Sequence, residues 1–526
     1  AGTGTCNENN LGQYIPVAKP DQSTYSGSDY YEIGLKEYQR RMHSDLPLPG
    51  TKLRGYYQIN GTDSSTQYLG PLVIAKRNTP VRFKFVNGLG INGLGDLPLP
   101  VDTLLMGAGM GPLDAGGLPC DPTISACAIY TENRATIHLH GGFTPWISDG
   151  TPHQWITPAS DLTPFKKGVS FQNVPDMVGP GKSIPAPAPG DGMATFYYPN
   201  QQSARLMFYH DHAYGITRLN VYAGEAAGYL LTDQVEEDLI SGTNVSGVFG
   251  GGIPSKILPD QGTPTGVYRY GIPLIIQDKT FVNDLSTPPG AGFAATGATP
   301  TASTSIVDPL WSTSVPGTSR GGDFWFPHVY MPNENIFDTT GFNPLGRWDY
   351  GPWMIPPMAA LMDTLPKLTI IPEAYGDTTV VNGAAFPYVT LPPAPLRFRI
   401  LNASNDRILN LQLYYAATAG GIVCKPITLP APVPAPDPSL CTEVSMVPAV
   451  PGTPTSPRPL AWPKDGRDGG VPDPANVGPS MIQIGNEAGF LVKPAVIPPQ
   501  PIDFDYNRRS VTFGGVTSKS LLMLPA

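Results

Sequence analysis

Apolar and polar residues alternate in short runs along the first half of the chain. In Val81-Arg-Phe-Lys-Phe-Val86, Val81, Phe83 and Phe85 share one face and Arg82 and Lys84 the other, the period of a half-buried strand. Residues 55–59 read the same way. Residues 135–140, 205–210 and 227–232 are further short runs rich in β-branched, aromatic and Leu residues. The first of these ends at Gly141-Gly142. Residues 88–127 are rich in Gly, Leu and Pro without a helical period and read as a long loop. Short strands parted by turn signals, with no strand–helix rhythm, predict a Greek-key β-sandwich.

A second unit of the same kind is expected from residue 268. Residues 271–277, 396–401 and 409–414 are strand-like, and the Ser/Thr/Gly/Pro-rich stretch 285–320 reads as a loop. Residues 425–478 are dense in Pro, have polyproline II character and read as an exposed insertion. Residues 510–513 and the final run 520–526 read as an apolar end, the last as a strand whose partner is expected outside the chain. The expected organisation is therefore one sandwich over 1–235, a linker over 236–267, and an incomplete second sandwich over 268–526.

Composition narrows this picture. The 526 residues include 62 Pro and 59 Gly, which excludes a helical bundle, because interior Pro breaks helices. The Gly has no three-residue period, so collagen is excluded, and 10% aromatics argue against wholesale disorder. A net charge of −9 argues against nucleic acid or an anionic membrane as partner. No apolar run approaches the ~20 residues of a membrane span. The start, with neither a basic nor an apolar leader region, suggests a signal peptide already removed. Of five Cys, the pairs Cys120/Cys127 and Cys424/Cys441 could each close a local loop. Cys6 is left over, either for a bond to another chain or as a free thiol. An oxidising compartment, secreted or periplasmic, is expected. The sequons at Asn60, Asn244 and Asn402 would matter only in a eukaryotic secretory setting.

The chemistry lies in the histidines. Only seven occur, and four form two His-x-His pairs, His138/His140 and His210/His212. In a strand, residues i and i+2 project from one face about 6.6 Å apart. Two such pairs on adjacent strands would gather four imidazoles around one pocket, a ligand set suited to copper or zinc. His43, His153 and His328 are isolated and read as structural or surface groups.

The residues around these pairs resemble the multicopper oxidases, most closely the spore-coat laccase and bilirubin oxidase branch. The resemblance runs from His138-Leu-His-Gly-Gly-Phe-Thr-Pro-Trp-Ile-Ser-Asp-Gly150 through Tyr209-His-Asp-His212 to Thr217-Arg-Leu-Asn-Val-Tyr-Ala-Gly224. It continues at Pro273–Asp278, Val381-Asn-Gly383, residues 397–404, Ile482–Gly485 and Leu524-Pro-Ala526, and it covers about half the chain. It implies cupredoxin-like domains, a type 1 copper in a third domain, and a trinuclear copper cluster held by eight His from four motifs. His138 would be a type 2 copper ligand, and His140, His210 and His212 would bind the type 3 pair. Asp149 matches an acidic residue thought to help deliver protons to O2. Its other reading is a turn Asp ahead of Gly150. Asp211, between two ligands, should face the opposite side of its strand, as a group supporting them.

The departures matter as much. No His-x-x-His-x-His or His-Cys-His occurs, and no Cys is flanked by His, so the type 1 site and half the cluster are missing. This leads to the expectation of a second polypeptide that supplies a C-terminal cupredoxin domain, the type 1 copper and four further His. Cleavage of one precursor is its simplest origin. The expected reaction is laccase-like: one-electron oxidation of a small aromatic reductant, a phenol or aromatic amine, with O2 reduced to water. Alternatives within the family are bilirubin, o-aminophenol or metal-ion oxidation. Outside enzymes, the alternative is a non-catalytic copper-binding cupredoxin protein. A zinc hydrolase is remote, since no helical His-Glu-x-x-His is present.

Overall fold

The structure is a computed structural model. It describes residues 8–526 apart from 104, 122–123, 125, 179–190, 253–254, 261–266, 282–321, 327, 330–368, 371–373, 392, 426–435, 504, 506, 508, 513–514 and 517–519. The expected loop at 285–320 and Cys6 therefore lie outside the described residues. The chain divides into two compact units, 1–407 with residue 526, and 408–525.

The first unit is built on a sandwich of two four-stranded sheets. In one, β1 (Asp29–Arg40) pairs antiparallel with β2 (Thr51–Gln58) and parallel with β4 (Val81–Asn87). The sheet is completed by β6 (Met193–Tyr198), antiparallel to β4. The other sheet runs β3 (Val73–Lys76), β8 (Ala226–Thr232), β7 (Arg205–His210) and β5 (His138–His140). Alternation along β4 buries Val81, Phe83 and Phe85 against Leu139, Met207, Tyr209 and Tyr229 from the opposite sheet. Phe83 packs edge-on against Tyr198 and Tyr209, with ring centroids 5.4 Å apart in both pairs. This is the all-β sandwich the patterning predicts, and the aromatic interior supplies its main driving force.

Three elements differ from expectation. β1 is twelve residues long, yet its first half is buried on both faces, so no alternation marks it. Two helices follow β7. α1 (Thr217–Ala223) ends at Gly224, whose φ of +119° forms a left-handed cap. α2 (Gln234–Ser241) starts at Asp233, whose carboxylate accepts the Glu236 N–H. Residues 135–137 do not join β5; Ala135 instead bridges Ile156.

The boundaries expected at 235 and 268 fall inside the first unit, because one core spans them. Phe208 and Ala226, on the outer face of the second sheet, and Leu219 and Tyr222 of α1 pack with Ile275, Phe324, Phe326 and Val380. These come from β9 (Ile272–Phe281) and its neighbours β10 (Phe324–Trp325), β13 (Thr378–Val381), β14 (Ala384–Ala385) and β15 (Phe398–Asn402). A short pair, β11 (His328–Val329) and β12 (Thr369–Ile370), stands apart from that sheet. Buried Glu236 of α2 is held by both Arg397, just before β15, and Arg399 within it.

The second unit contains β16 (Leu409–Leu411), β17 (Met446–Val447), β18 (Val471–Pro472), β19 (Met481–Asn486), β20 (Gly489–Ile497) and β21 (Leu521–Met523), arranged in two-stranded ribbons. The terminal strand does find a partner in the chain: β21 pairs antiparallel with β16, Leu409 opposite Met523. The described part of the Pro-rich stretch is not solvated throughout. Trp462 buries against Ala449 and Val471, and its indole N–H donates to the Pro472 carbonyl at 2.9 Å. Both expected disulfides are present, Cys120–Cys127 and Cys424–Cys441. Among the described residues, no helix is long and apolar enough to cross a membrane.

Candidate metal centre

The two His-x-His pairs meet because β5 and β7 pair antiparallel with His138 opposite His210 and His140 opposite Phe208. Alternation then sorts the side chains. Leu139, Met207 and Tyr209 enter the sandwich core. His138, His140, Phe208 and His210 therefore occupy the other face. Ligand nitrogens of His138, His140 and His210 all lie within 4.8 Å of one another. Among the described residues this is the only group of three or more His, Cys, Asp or Glu so placed. His212 lies just past the end of β7 and stacks on His138, with centroids 4.5 Å apart and planes 21° apart.

Backbone carbonyls orient three of the four rings. Nδ1 of His138 lies 2.5 Å from the Asp149 oxygen, Nδ1 of His210 2.6 Å from that of Asp211, and Nδ1 of His212 3.0 Å from that of Gly150. A carbonyl only accepts, so each Nδ1 carries the proton and each Nε2 keeps its lone pair. His140 differs: its Nδ1 faces Nε2 of His210 at 3.1 Å. A metal between those two atoms requires the intervening proton to move, to Nε2 of His140 in the neutral ring. Phe208, which sequence reasoning missed, stacks on His140 at 5.0 Å and on His210 at 4.8 Å. Period 2 along β7 was the available signal, since it places Phe208 and His210 on one face.

Burial, with a smaller contribution from neighbouring imidazoles, holds His138 and His140 below the ordinary His range. It pushes His210 down to about 3. The imidazoles are thus kept neutral, the form that binds metal.

The loop from Gly141 to Gly150 supplies two of the orienting carbonyls. Gly150 has φ +63°, and a Cβ there would sit 1.9 Å from the Ile137 carbonyl oxygen, so only glycine fits. Asp149 precedes it in a helical conformation. Its carboxylate accepts from the Thr144 hydroxyl at 2.6 Å and lies 3.6 Å from Nδ1 of His138. Asp149 is therefore both a turn residue and a carboxylate beside the imidazoles.

Asp211 faces away from the four rings, as its strand position requires. Fully buried, it accepts from the Thr136 N–H at 2.8 Å, the Ala213 N–H at 2.9 Å and Asn220 Nδ2 at 2.9 Å. Desolvation raises its pKa despite these bonds. It fastens the backbone two residues before His138 to the backbone just after His212. Behind it, Asn220 Oδ1 accepts from Arg54 Nη1, which also pairs with Glu225 at 3.2 Å, both side chains fully buried. Nothing in the spacing of Asn220, Arg54 and Glu225 marked them.

The isolated histidines stand elsewhere. His43 lies beside Asp45, His153 packs against Tyr214, and His328 belongs to β11. The four-imidazole set, with Nε2 lone pairs on the three carbonyl-bound rings, fits a borderline metal such as copper.

No protein-family model matches the chain. Sequence comparison finds similarity to the laccase of Bacillus stratosphericus, 29% identical over 418 residues, covering 78% of this chain and 53% of that protein. The laccase of Bacillus subtilis is 27% identical over 403 residues, covering 76% and 49%. The bilirubin oxidase of Albifimbria verrucaria is 30% identical over a shorter match of 150 residues, covering 28% of this chain and 17% of that protein. The chain spans about half the length of the laccases it matches.

Proposed function

Starting from this kinship with laccases and other multicopper oxidases, we propose that the chain provides half of a trinuclear copper site in an oxidase that uses O2. The reading is carried by one observation: the β5–β7 pairing brings four imidazoles together, three of them presenting Nε2 through a backbone-bound Nδ1. His138 is assigned to the type 2 copper, and His140, His210 and His212 to the type 3 pair. Bound copper would supply one-electron transfer and the four-electron reduction of O2 to water, with four protons consumed per O2.

The chain's own residues hold and orient those ligands. The 149–150 carbonyls set the rings of His138 and His212, and Phe208 backs His140 and His210 with an apolar surface. Asp149 holds a carboxylate near His138 while remaining partly open to solvent, so it is suited to pass protons inward. The reducing substrate is a phenol or aromatic amine, oxidised one electron at a time at a type 1 copper outside these residues. The remaining ligands come from a C-terminal cupredoxin domain, carried on a second polypeptide cut from the same precursor. Two disulfides suit an oxidising compartment, secreted or periplasmic.

The test is O2 uptake by the purified native protein with a phenol as reductant. Water as the product and loss of uptake in His210→Ala are expected. Hydrogen peroxide as the product, or full uptake in the variant, contradicts the reading. Intact-mass measurement of every polypeptide in the active preparation tests the partner. A second chain carrying His-Cys-His is expected, and one continuous chain carrying that motif contradicts it.

A further inference from the structure

The loop that orients the imidazoles also displays two large aromatic rings to solvent. Phe143 is 68% exposed and Trp146 66% exposed. Trp155, Trp325 and Trp462 are each about 95% buried, so Trp146 is a marked exception. Neither ring rides on a loose segment. The Phe143 N–H donates to Gln202 Oε1 at 2.9 Å, and Gln202 Nε2 donates back to the Gly141 carbonyl at 2.5 Å. Trp146 opens a helical turn closed by buried Ser148, whose hydroxyl accepts the Tyr197 N–H at 2.8 Å. The same turn leads directly to Asp149 and Gly150, whose carbonyls hold His138 and His212.

Apolar rings held rigidly in water lose hydrophobic free energy and little entropy when a partner covers them. Aromatic anchors of this kind dominate protein interfaces. The occupant follows from the metal centre. Four imidazoles are half of the proposed ligand set, so whatever brings the other half must approach within bonding distance of ions held by His138 and His212. The 141–150 loop is the backbone that holds those two rings, and Phe143 and Trp146 sit on that same short loop. The match covers 53% and 49% of the two related laccases, so about half of each has no counterpart in the matched residues and is available for the part.

We propose that Phe143 and Trp146 are the docking anchors for the polypeptide that completes the copper cluster. This inference rests on the proposed function, and its test separates the two. Hydroxyl-radical footprinting of the copper-loaded native protein reads side-chain oxidation, with Tyr388, 91% exposed, as the reference. After correction for intrinsic reactivity, Phe143 and Trp146 are expected to oxidise about tenfold more slowly than Tyr388, as desolvated anchors do. The Trp146→Ala variant, altered at an exposed site, is expected to keep its fold and to lose copper to a chelator about 30-fold faster, the effect of truncating an interface anchor. Three coppers per protein with both rings oxidised like Tyr388 overturns the docking inference and leaves the proposed function standing. Absence of copper from the site overturns both. Protection that requires an added phenol assigns the rings to a small aromatic reductant and also overturns the docking inference.

Discussion

His140 Nδ1 lies 3.1 Å from His210 Nε2, a direct link between the two His-x-His pairs across the β5–β7 ladder. A ligand nitrogen from each strand thus converges on one point. His210→Ala removes one of them and leaves Phe208 packing on His140. Copper at the cluster is expected to fall to background while the protein stays folded, losing about 1–3 kcal/mol for a buried truncation. Metal analysis and thermal unfolding of the same preparation check this.

Gly150→Ala attacks the site through the backbone. Its Cβ would collide with the Ile137 carbonyl, and its φ of +63° is unfavourable for Ala. The expected cost exceeds about 1 kcal/mol. Copper affinity should fall too, because the 149 and 150 carbonyls lose their aim at His138 and His212. A variant that keeps wild-type copper affinity would contradict the orienting role of this turn.

Asp149→Asn tests proton delivery apart from metal binding. The amide oxygen can still accept from Thr144, and the turn tolerates Asn, so copper content should not change. The rate of O2 reduction is expected to fall by about 100-fold, in the range for a lost general acid or base. An unchanged rate at every pH would leave Asp149 as a turn residue only.

Lys279 supplies a prediction on stability. It is buried, donates to the Tyr222 carbonyl at 2.8 Å and lies over the Tyr222 ring. Burial pushes its pKa down to about 7. The unfolded lysine titrates near 10.4, so between about pH 7 and 10.4 the unfolded chain holds a proton that the folded chain has lost. This group therefore makes stability rise with pH through that window, by about 5 kcal/mol in all. Below pH 7 both states are protonated and the slope from this group vanishes. Denaturant unfolding across the window should show a steeper rise for wild type than for Lys279→Met.

The convergence of the imidazoles was legible because they are rare residues at strand spacing. Two His-x-His pairs among seven His need only alternation and one pairing to converge, and both occurred. Strands with one wet face, such as β4, were equally readable. β1 was hidden because its first half is buried on both faces, which erases the period. The β16–β21 pair was missed because each strand has only three residues and about 110 residues separate them; local pattern carries no information on such a contact. Asn220, Arg54 and Glu225 escaped for a related reason. They come from α1, β2 and the residue just before β8, and only the fold brings them together behind Asp211 and the imidazoles. The expected boundaries at 235 and 268 follow sequence texture, whereas the compact unit follows the shared core of Phe208, Tyr222, Ile275 and Phe324.

The central claim is that His138, His140, His210 and His212 are copper ligands at one cluster. Anomalous diffraction at the copper edge from crystals of the copper-loaded native protein tests it most directly. Copper peaks bonded to Nε2 of His138, His210 and His212 and to Nδ1 of His140 are the predicted result. Copper located elsewhere, with these four imidazoles free of metal, would contradict it.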